Sequence, residues 1–158
     1  MNFETVVLQL ADALRAKGWR IASAESCTGG LIAAACTAVA GSSDWFERGF
    51  VTYSNEAKTD LLGVTPELIA THGAVSEEVA RAMVQGALAR APVQAAVAVT
   101  GIAGPGGAVP GKPVGTVWMA WGTPAGVHTV RLQLPGDRSA VRAATVDAAL
   151  DRLIGLAA

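Results

Sequence analysis

The stretch AAVAVTGIAGPGG, residues 95–107, decides the fold class. Ala95–Thr100 is a near-continuous apolar run without charge, which predicts a central strand buried on both faces. Such a strand belongs to a sheet covered by helices on both sides. It runs directly into Gly101-Ile102-Ala103-Gly104-Pro105-Gly106-Gly107. A glycine-rich loop at the carboxyl end of a buried strand is where open α/β sheets bind ligands. Read alone, the same residues also fit a long surface turn. The length of the segment, from Gly101 to Pro113, favours a functional loop, because long unstructured connections are uncommon without a purpose.

A second segment upstream has the same form. Arg20–Ala24 is a short apolar run that predicts a strand, followed by Glu25-Ser26-Cys27-Thr28-Gly29-Gly30 and the apolar segment Leu31–Ala38, which predicts a helix. Strand, small polar residues and helix together present backbone N–H groups to an anion. The turn lacks the Gly-Lys-Ser/Thr of a Walker loop, and its Ser and Thr equally fit as simple helix caps. Before it, Phe3, Val7, Leu10 and Leu14 recur at helical spacing and Gly18 supplies the stop. After it, Gly49–Tyr53 reads as a strand. Ser54 caps a short helix containing Lys58 and ending at Gly63, and Thr65-Pro66 opens another that ends at Gly73. Ser76-Glu77-Glu78 opens a longer helix that Pro92 closes. Val114–Trp121 and Val127–Leu134 predict a β-hairpin around Gly122–Gly126. Asp137 caps a final helix, Arg138–Leu156. The order predicts a three-layer α/β/α sandwich around a mixed β-sheet.

Composition narrows the function. The chain has 158 residues, which fits one domain. Charged residues are 16% of it, and 18 positions are glycine. A low-charge chain of this kind suggests surface hidden in a homo-oligomer. The net charge of −1 offers no basic face for nucleic acid. Residues 26–43 and 91–111 are uncharged, but Gly, Ser, Thr and Pro interrupt both, so neither predicts a membrane span. Cys27 and Cys36 fit no zinc spacing. With no leader visible, a cytoplasmic location and free thiols are expected.

The chemistry-bearing stretch is GSSDWFERGFVTYSNEAK, residues 41–58. It brings Ser43, the chain's only tyrosine, Tyr53, and Lys58 close together in sequence. Serine needs a base to act as a nucleophile, and a lysine whose pKa is lowered by burial can be that base. Spacing alone leaves open that Ser43 caps a turn and Lys58 is solvated. Neither His72 nor His128 lies in the polar stretches 25–30, 41–43 and 100–107, so a Ser-His-Asp triad and a metal site have little support. If those stretches meet at one sheet edge, they form a pocket suited to a phosphorylated small molecule. Arg138 and Arg142, one helical turn apart, read as surface charges or as anion binders.

Six motifs carry a family resemblance. They are A-E-S-C-T-G-G at 24–30, G-S-S-x-W-F-x-R-G-F-V-T-Y-S-N-E-A-K at 41–58, H-G-A-V-S at 72–76, T-G-I-A-G-P at 100–105, K-P-V-G-T-V at 112–117 and G-D-R at 136–138. In this order they resemble the CinA carboxy-terminal domain family along essentially the whole chain. The resemblance implies one domain, residues 1–158, that hydrolyses the carboxamide of nicotinamide mononucleotide to nicotinate mononucleotide and ammonia, with no metal or cofactor. It implies Ser43 as nucleophile, Lys58 as its base and Tyr53 beside them. Ser26, Cys27, Thr28, Gly29, Gly30, Thr100, Gly101, Ala103 and Gly104 fall in the motifs that line the pocket. Trp45 or Phe46 offers an apolar wall for the pyridine ring, and Arg138 and Arg142 offer contacts to the phosphate. Three alternatives remain at this level. Ser26 or Cys27 is the nucleophile; the pocket binds its nucleotide without turnover; or the chain is an assembly protein.

Overall fold

The structure is a computed structural model, which describes residues 2–158. One five-stranded sheet runs in the order β2-β1-β3-β4-β5. β1 (Ile21–Glu25) pairs in parallel with β2 (Phe46–Val51) on one side and with β3 (Ala95–Gly101) on the other. β4 (Thr116–Thr123) and β5 (Gly126–Gln133) extend the sheet antiparallel beyond β3. The mixed sheet predicted from the sequence is therefore present. All five residues of β1 are buried, as a strand flanked by two neighbours and covered on both faces must be.

Six helices cover the sheet in two layers. α1 (Glu4–Lys17), α2 (Leu31–Thr37) and α6 (Arg138–Ala157) pack on one face against Ile21, Ala95, Val97, Val99 and Met119. α3 (Asn55–Leu62), α4 (Pro66–His72) and α5 (Glu77–Arg90) pack on the other against Ala22, Ala24, Ala96, Ala98 and Ala120. Alternate residues of each strand serve opposite cores, which is the period-two rule of a pleated strand. Side-chain size differs between the layers. The first face carries Ile, Val and Met, whereas the second carries alanines, and α5 comes close enough for Gly86 to lie against Leu62. A Cβ at Gly86 would stand 2.0 Å from the Leu62 carbonyl oxygen, so no larger residue fits there.

Caps set the helix ends as expected. Gly18 and Gly63 take left-handed conformations that end α1 and α3. Ser54, Thr65, Ser76 and Asp137 accept the backbone N–H three positions on. Two strands depart clearly from their expected spans: β4 runs Thr116–Thr123 instead of Val114–Trp121, and β2 moves further. β2 begins at Phe46 and ends at Val51, not at Gly49 and Tyr53. It starts early because the Trp45 carbonyl already accepts from Ile21 N–H at 2.8 Å. It ends early because the carbonyls of Thr52 and Tyr53 turn to Lys58 instead of continuing the ladder.

Strands β1, β2 and β3 are parallel, so their carboxyl ends meet at one edge. The chain leaves β1 for β2 on one side and returns to β3 on the other. This reversal opens a crevice beyond the strand ends, where α/β sheets place their ligands.

Candidate active site

The turn after β1 is built around a buried carboxylate. Glu25 is fully buried and accepts from Thr28 Oγ1 at 2.5 Å, Ile32 N at 2.9 Å, Ala33 N at 3.0 Å and Gly30 N at 3.3 Å. Ser23 Oγ adds a longer contact at 3.5 Å. The anion expected at the start of α2 is thus the chain's own Glu25, which satisfies amide groups that a helix start leaves unpaired. Gly29 and Gly30 take φ of 57° and 106°, a backbone region that favours glycine. The tight turn leaves Ser26 at the strand's exit, with its N–H donated to Val99 O of β3 at 3.1 Å.

Lys58 reaches this serine from below. Ser54 fixes the start of α3, accepting from Ala57 N at 3.0 Å, and the helix then directs Lys58 inward. Lys58 is 1% exposed. Its Nζ donates to Ser26 Oγ at 3.0 Å and to the carbonyls of Thr52 and Tyr53 at 3.1 Å each. No carboxylate pairs with it among the described residues. Burial therefore pushes the Lys58 ammonium below its ordinary pKa, with only the Cys27 thiol acting in the opposite sense. The neutral amine matches the same three partners. Two N–H groups go to the two carbonyls, and the lone pair accepts the Ser26 hydroxyl proton.

Above this pair lies a cleft of about 250 Å³ lined by Ser26, Cys27, Tyr53, Asn55, Lys58, Ala74, Val75, Thr100, Gly101, Ala103 and Arg138. Larger surface hollows exist elsewhere, but none of them includes this serine and lysine. Thr100 Oγ1 donates to Ala74 O at 2.9 Å, tying the end of β3 to the segment before α5. Gly101 permits a close approach. A Cβ there would meet Val117 Cγ2 at 2.6 Å and Cys27 Sγ at 3.2 Å. Gly104 does not itself line the cleft but holds its rim, because its carbonyl accepts from Arg138 Nη1 at 3.0 Å. Arg138 Nη2 also donates to Tyr53 Oη at 3.3 Å, so the two side chains bridge the cleft mouth.

Several expectations are corrected by this geometry. Ser43 lies in a 3-10 turn, Ser42–Asp44, before β2, and is exposed. Lys58 lies past the other end of β2. The strand's six residues span about 20 Å, so Ser43 and Lys58 stand at opposite edges of the sheet. Trp45 is also misplaced as a pocket wall. It is fully buried in the core, edge-on to Phe46 with ring centroids 6.5 Å apart. Arg142 does not line the cleft. Its Nε donates to Cys27 O at 3.1 Å and its Nη2 to Thr28 O at 3.3 Å. Thr28 and Gly30 shape the turn through Glu25 without lining the cleft. Tyr53 does lie beside Lys58, but through its carbonyl, and the residue as a whole is 62% exposed. Cys27 is a poor nucleophile, since burial raises its thiol pKa to about 11 and keeps it protonated near neutrality. Cys36 is buried at about 12 for the same reason.

Sequence reasoning passed over Asn55, Ala74 and Val75 as cleft residues. All three lie inside motifs already quoted, S-N-E-A-K and H-G-A-V-S. Their signal was present, but only the fold shows which motif residues face the cleft. Among the described residues, no three His, Cys, Asp or Glu side chains are grouped as a metal site. No helix among them is long and apolar enough to cross a membrane.

The architecture is an α/β/α sandwich with a serine–lysine pair in a polar cleft at the carboxyl ends of its parallel strands. The model of the CinA C-terminal domain matches residues 3–157, and the chain belongs to that family. It is 55% identical over 152 residues to the nicotinamide-nucleotide amidohydrolase PncC of Pseudomonas putida, covering 96% of this chain and 95% of that protein. It is 52% identical over 146 residues to the Escherichia coli K12 enzyme of the same name, covering 92% and 88%. Among solved structures, the competence/damage inducible protein CihA of Agrobacterium tumefaciens superposes with a TM-score of 0.95 at 46% identity, covering 99% of this chain and 96% of that one.

Proposed function

We propose that this chain hydrolyses the carboxamide of nicotinamide mononucleotide to nicotinate mononucleotide and ammonia, within cytoplasmic pyridine-nucleotide recycling. The observation that carries the mechanism is the 3.0 Å contact between Lys58 Nζ and Ser26 Oγ, made in a buried site with no competing carboxylate. The substrate class rests on the named relatives, whose sequences align with nearly the whole chain.

In this reading the nucleophile is Ser26, not Ser43. Neutral Lys58 accepts the Ser26 proton as Oγ attacks the carboxamide carbon, giving a tetrahedral oxyanion. That oxyanion needs preorganised donors. The N–H of Cys27 follows the serine directly in the cleft lining, and no carbonyl among the described residues accepts from it. Collapse breaks the C–N bond, and the Lys58 ammonium returns its proton to the departing nitrogen, releasing ammonia. The acyl group is then an ester on Ser26. Water attacks it, Lys58 takes the water proton, and the proton passes back to Oγ as the C–Oγ bond breaks. Nicotinate mononucleotide leaves and the dyad is restored. Ala74, Val75 and Ala103 give the pyridine ring an apolar lining. Arg138 at the mouth is the phosphate contact, because among the described residues its guanidinium holds a carbonyl and a phenol and faces no carboxylate. The chain works as a homo-oligomer.

The test is ammonia release from the mononucleotide, followed by intact-mass analysis and peptide mapping of a rapidly quenched reaction. An acyl adduct on Ser26 is expected. An adduct on Ser43 or Cys27 overturns the dyad, and no ammonia release overturns the activity.

A further inference from the structure

The mechanism leaves Arg142 without a role, although two of its nitrogens are committed to one short turn. It projects from the second turn of α6, whose start Asp137 fixes by accepting from Ala140 N at 2.9 Å. No carboxylate pairs with it among the described residues. Its fork instead receives two consecutive carbonyls, Cys27 O at 3.1 Å and Thr28 O at 3.3 Å.

Those two contacts determine where the following N–H groups point. In a trans peptide the C=O and the next N–H are antiparallel across a rigid plane. Arg142 pulls the Cys27 and Thr28 carbonyls toward α6, so the N–H groups of Thr28 and Gly29 point away from it. The Gly29 N–H is used, donating to Ser26 O at 3.1 Å. The Thr28 N–H has no carbonyl acceptor among the described residues, and Thr28 lies fully buried behind the cleft lining. The Thr28 side chain is held separately, by its hydroxyl on Glu25 at 2.5 Å. The turn that carries Ser26 is therefore gripped from both sides. Glu25 holds it by its donors and Arg142 by its acceptors, while the N–H of Cys27, next to the serine and in the cleft lining, has no carbonyl acceptor among the described residues.

We infer that Arg142 is a positioning residue for the reaction. By binding the Cys27 and Thr28 carbonyls it fixes the turn that presents Ser26 and the Cys27 N–H, the oxyanion donor next to the serine, and it does not bind the substrate phosphate. The inference rests on the Ser26–Lys58 reading. A planar fork is the side chain suited to two neighbouring carbonyls, whereas lysine offers a single point charge. A peptide plane that relaxes by about an ångström misplaces its donor, and such a shift costs about 100-fold in rate.

Three measurements test it together. The first is steady-state kinetics of Arg142→Lys and Arg142→Met, the latter keeping the aliphatic stem, with thermal unfolding to establish that each folds. The expected result is a kcat lower by about 100-fold, with KM within about twofold and the pH–rate limb of Lys58 unmoved. The second is titration of the mononucleotide into the Ser26→Ala protein and the Ser26→Ala/Arg142→Lys protein, where equal affinity is expected. A tenfold or greater loss of affinity in the double variant, with kcat of Arg142→Lys near normal, overturns the inference and makes Arg142 a phosphate ligand. Unchanged kinetics in both single variants also overturns it. The third is turnover by Ser26→Ala. Near-normal turnover there overturns the dyad, and the inference falls with it. Loss of turnover there beside an unaffected Arg142→Lys removes the inference alone.

Discussion

The two ends of strand β2 place similar side chains in opposite surroundings. At the entering end, Ser42 and Ser43 sit in a 3-10 turn that meets solvent. The charges there are local and exposed. Arg15 lies 3.5 Å from Asp44 and donates to Gly41 O at 3.1 Å. At the leaving end, the carbonyls of Thr52 and Tyr53 accept from a buried ammonium that has no counter-charge among the described residues. The entering end is an ordinary solvated turn, in which ion pairs contribute little. The leaving end withholds water from a charge, which is the condition for moving a lysine's pKa toward neutrality. Reactivity follows the surroundings and not the hydroxyl itself.

The largest effect should separate the two serines. Ser26→Ala is expected to lower kcat by about 10⁴-fold or more with substrate affinity largely kept, while Ser43→Ala remains within about twofold of the parent by the range usual for a surface change. Ammonia-release kinetics on both variants check this, and a reversed order would place the chemistry at the wrong end of the strand. Lys58→Ala should cost about as much as Ser26→Ala, and the double variant little more, because the pair acts as one unit. Lys58→Arg should not restore activity, since a guanidinium is no base near neutral pH.

The pH dependence comes next, and its sign follows from the direction of the Lys58 shift. The folded lysine releases its proton at lower pH than the unfolded one, whose pKa is about 10.4. The rate should rise with pH through the lowered value, as the base becomes neutral. Between the lowered value and about 10.4 the unfolded chain binds more protons, so stability rises with pH across that window. Below it both states are protonated and the cost of burying the charge is felt in full. Lys58→Met should flatten this slope relative to the parent, measured as Tm against pH. A steeper slope in Lys58→Met would contradict the burial argument.

Smaller effects should mark the residues that shape the site without reacting. Glu25→Gln replaces an acceptor of several donors by a group that carries donors of its own. A loss of about 1–3 kcal/mol of stability is expected by denaturant titration, since a buried unmade hydrogen bond costs that much. Arg138→Ala should raise KM for the mononucleotide by about tenfold, the scale of one charge-assisted contact. Tyr53→Phe should be the mildest, a change of a few-fold. It removes only a 3.3 Å bond between exposed groups, and a loss as large as that of Lys58→Ala would instead give the phenol a role in proton transfer.

Much of the fold was legible in the sequence because its signals are local. Caps act within one turn of helix, so Ser54, Thr65, Ser76 and Asp137 could be placed without knowing what lay across the molecule. Gly18 and Gly63 stop helices for the same local reason. The apolar run Arg20–Ala24 predicts a strand and the uncharged run Ala95–Thr100 one buried on both faces, and β1 and residues 95–100 of β3 are buried. The motifs also gave the right loops for the cleft, since Ser26, Cys27, Thr100, Gly101, Ala103 and Lys58 all line it.

Only the tertiary structure decided which serine meets the lysine. Ser43 precedes β2 and Lys58 follows it, so an extended strand drives them apart although they are near in sequence. Ser26 is thirty-two positions from Lys58, yet parallel pairing of β1 with β2 brings both to the same edge. The same long-range geometry sends Trp45 into the core and turns Arg142 onto the Cys27 and Thr28 carbonyls. Local sequence determines where elements start and stop. Which of their ends coincide is set by strand order and direction, and neither is encoded within the span of any one motif.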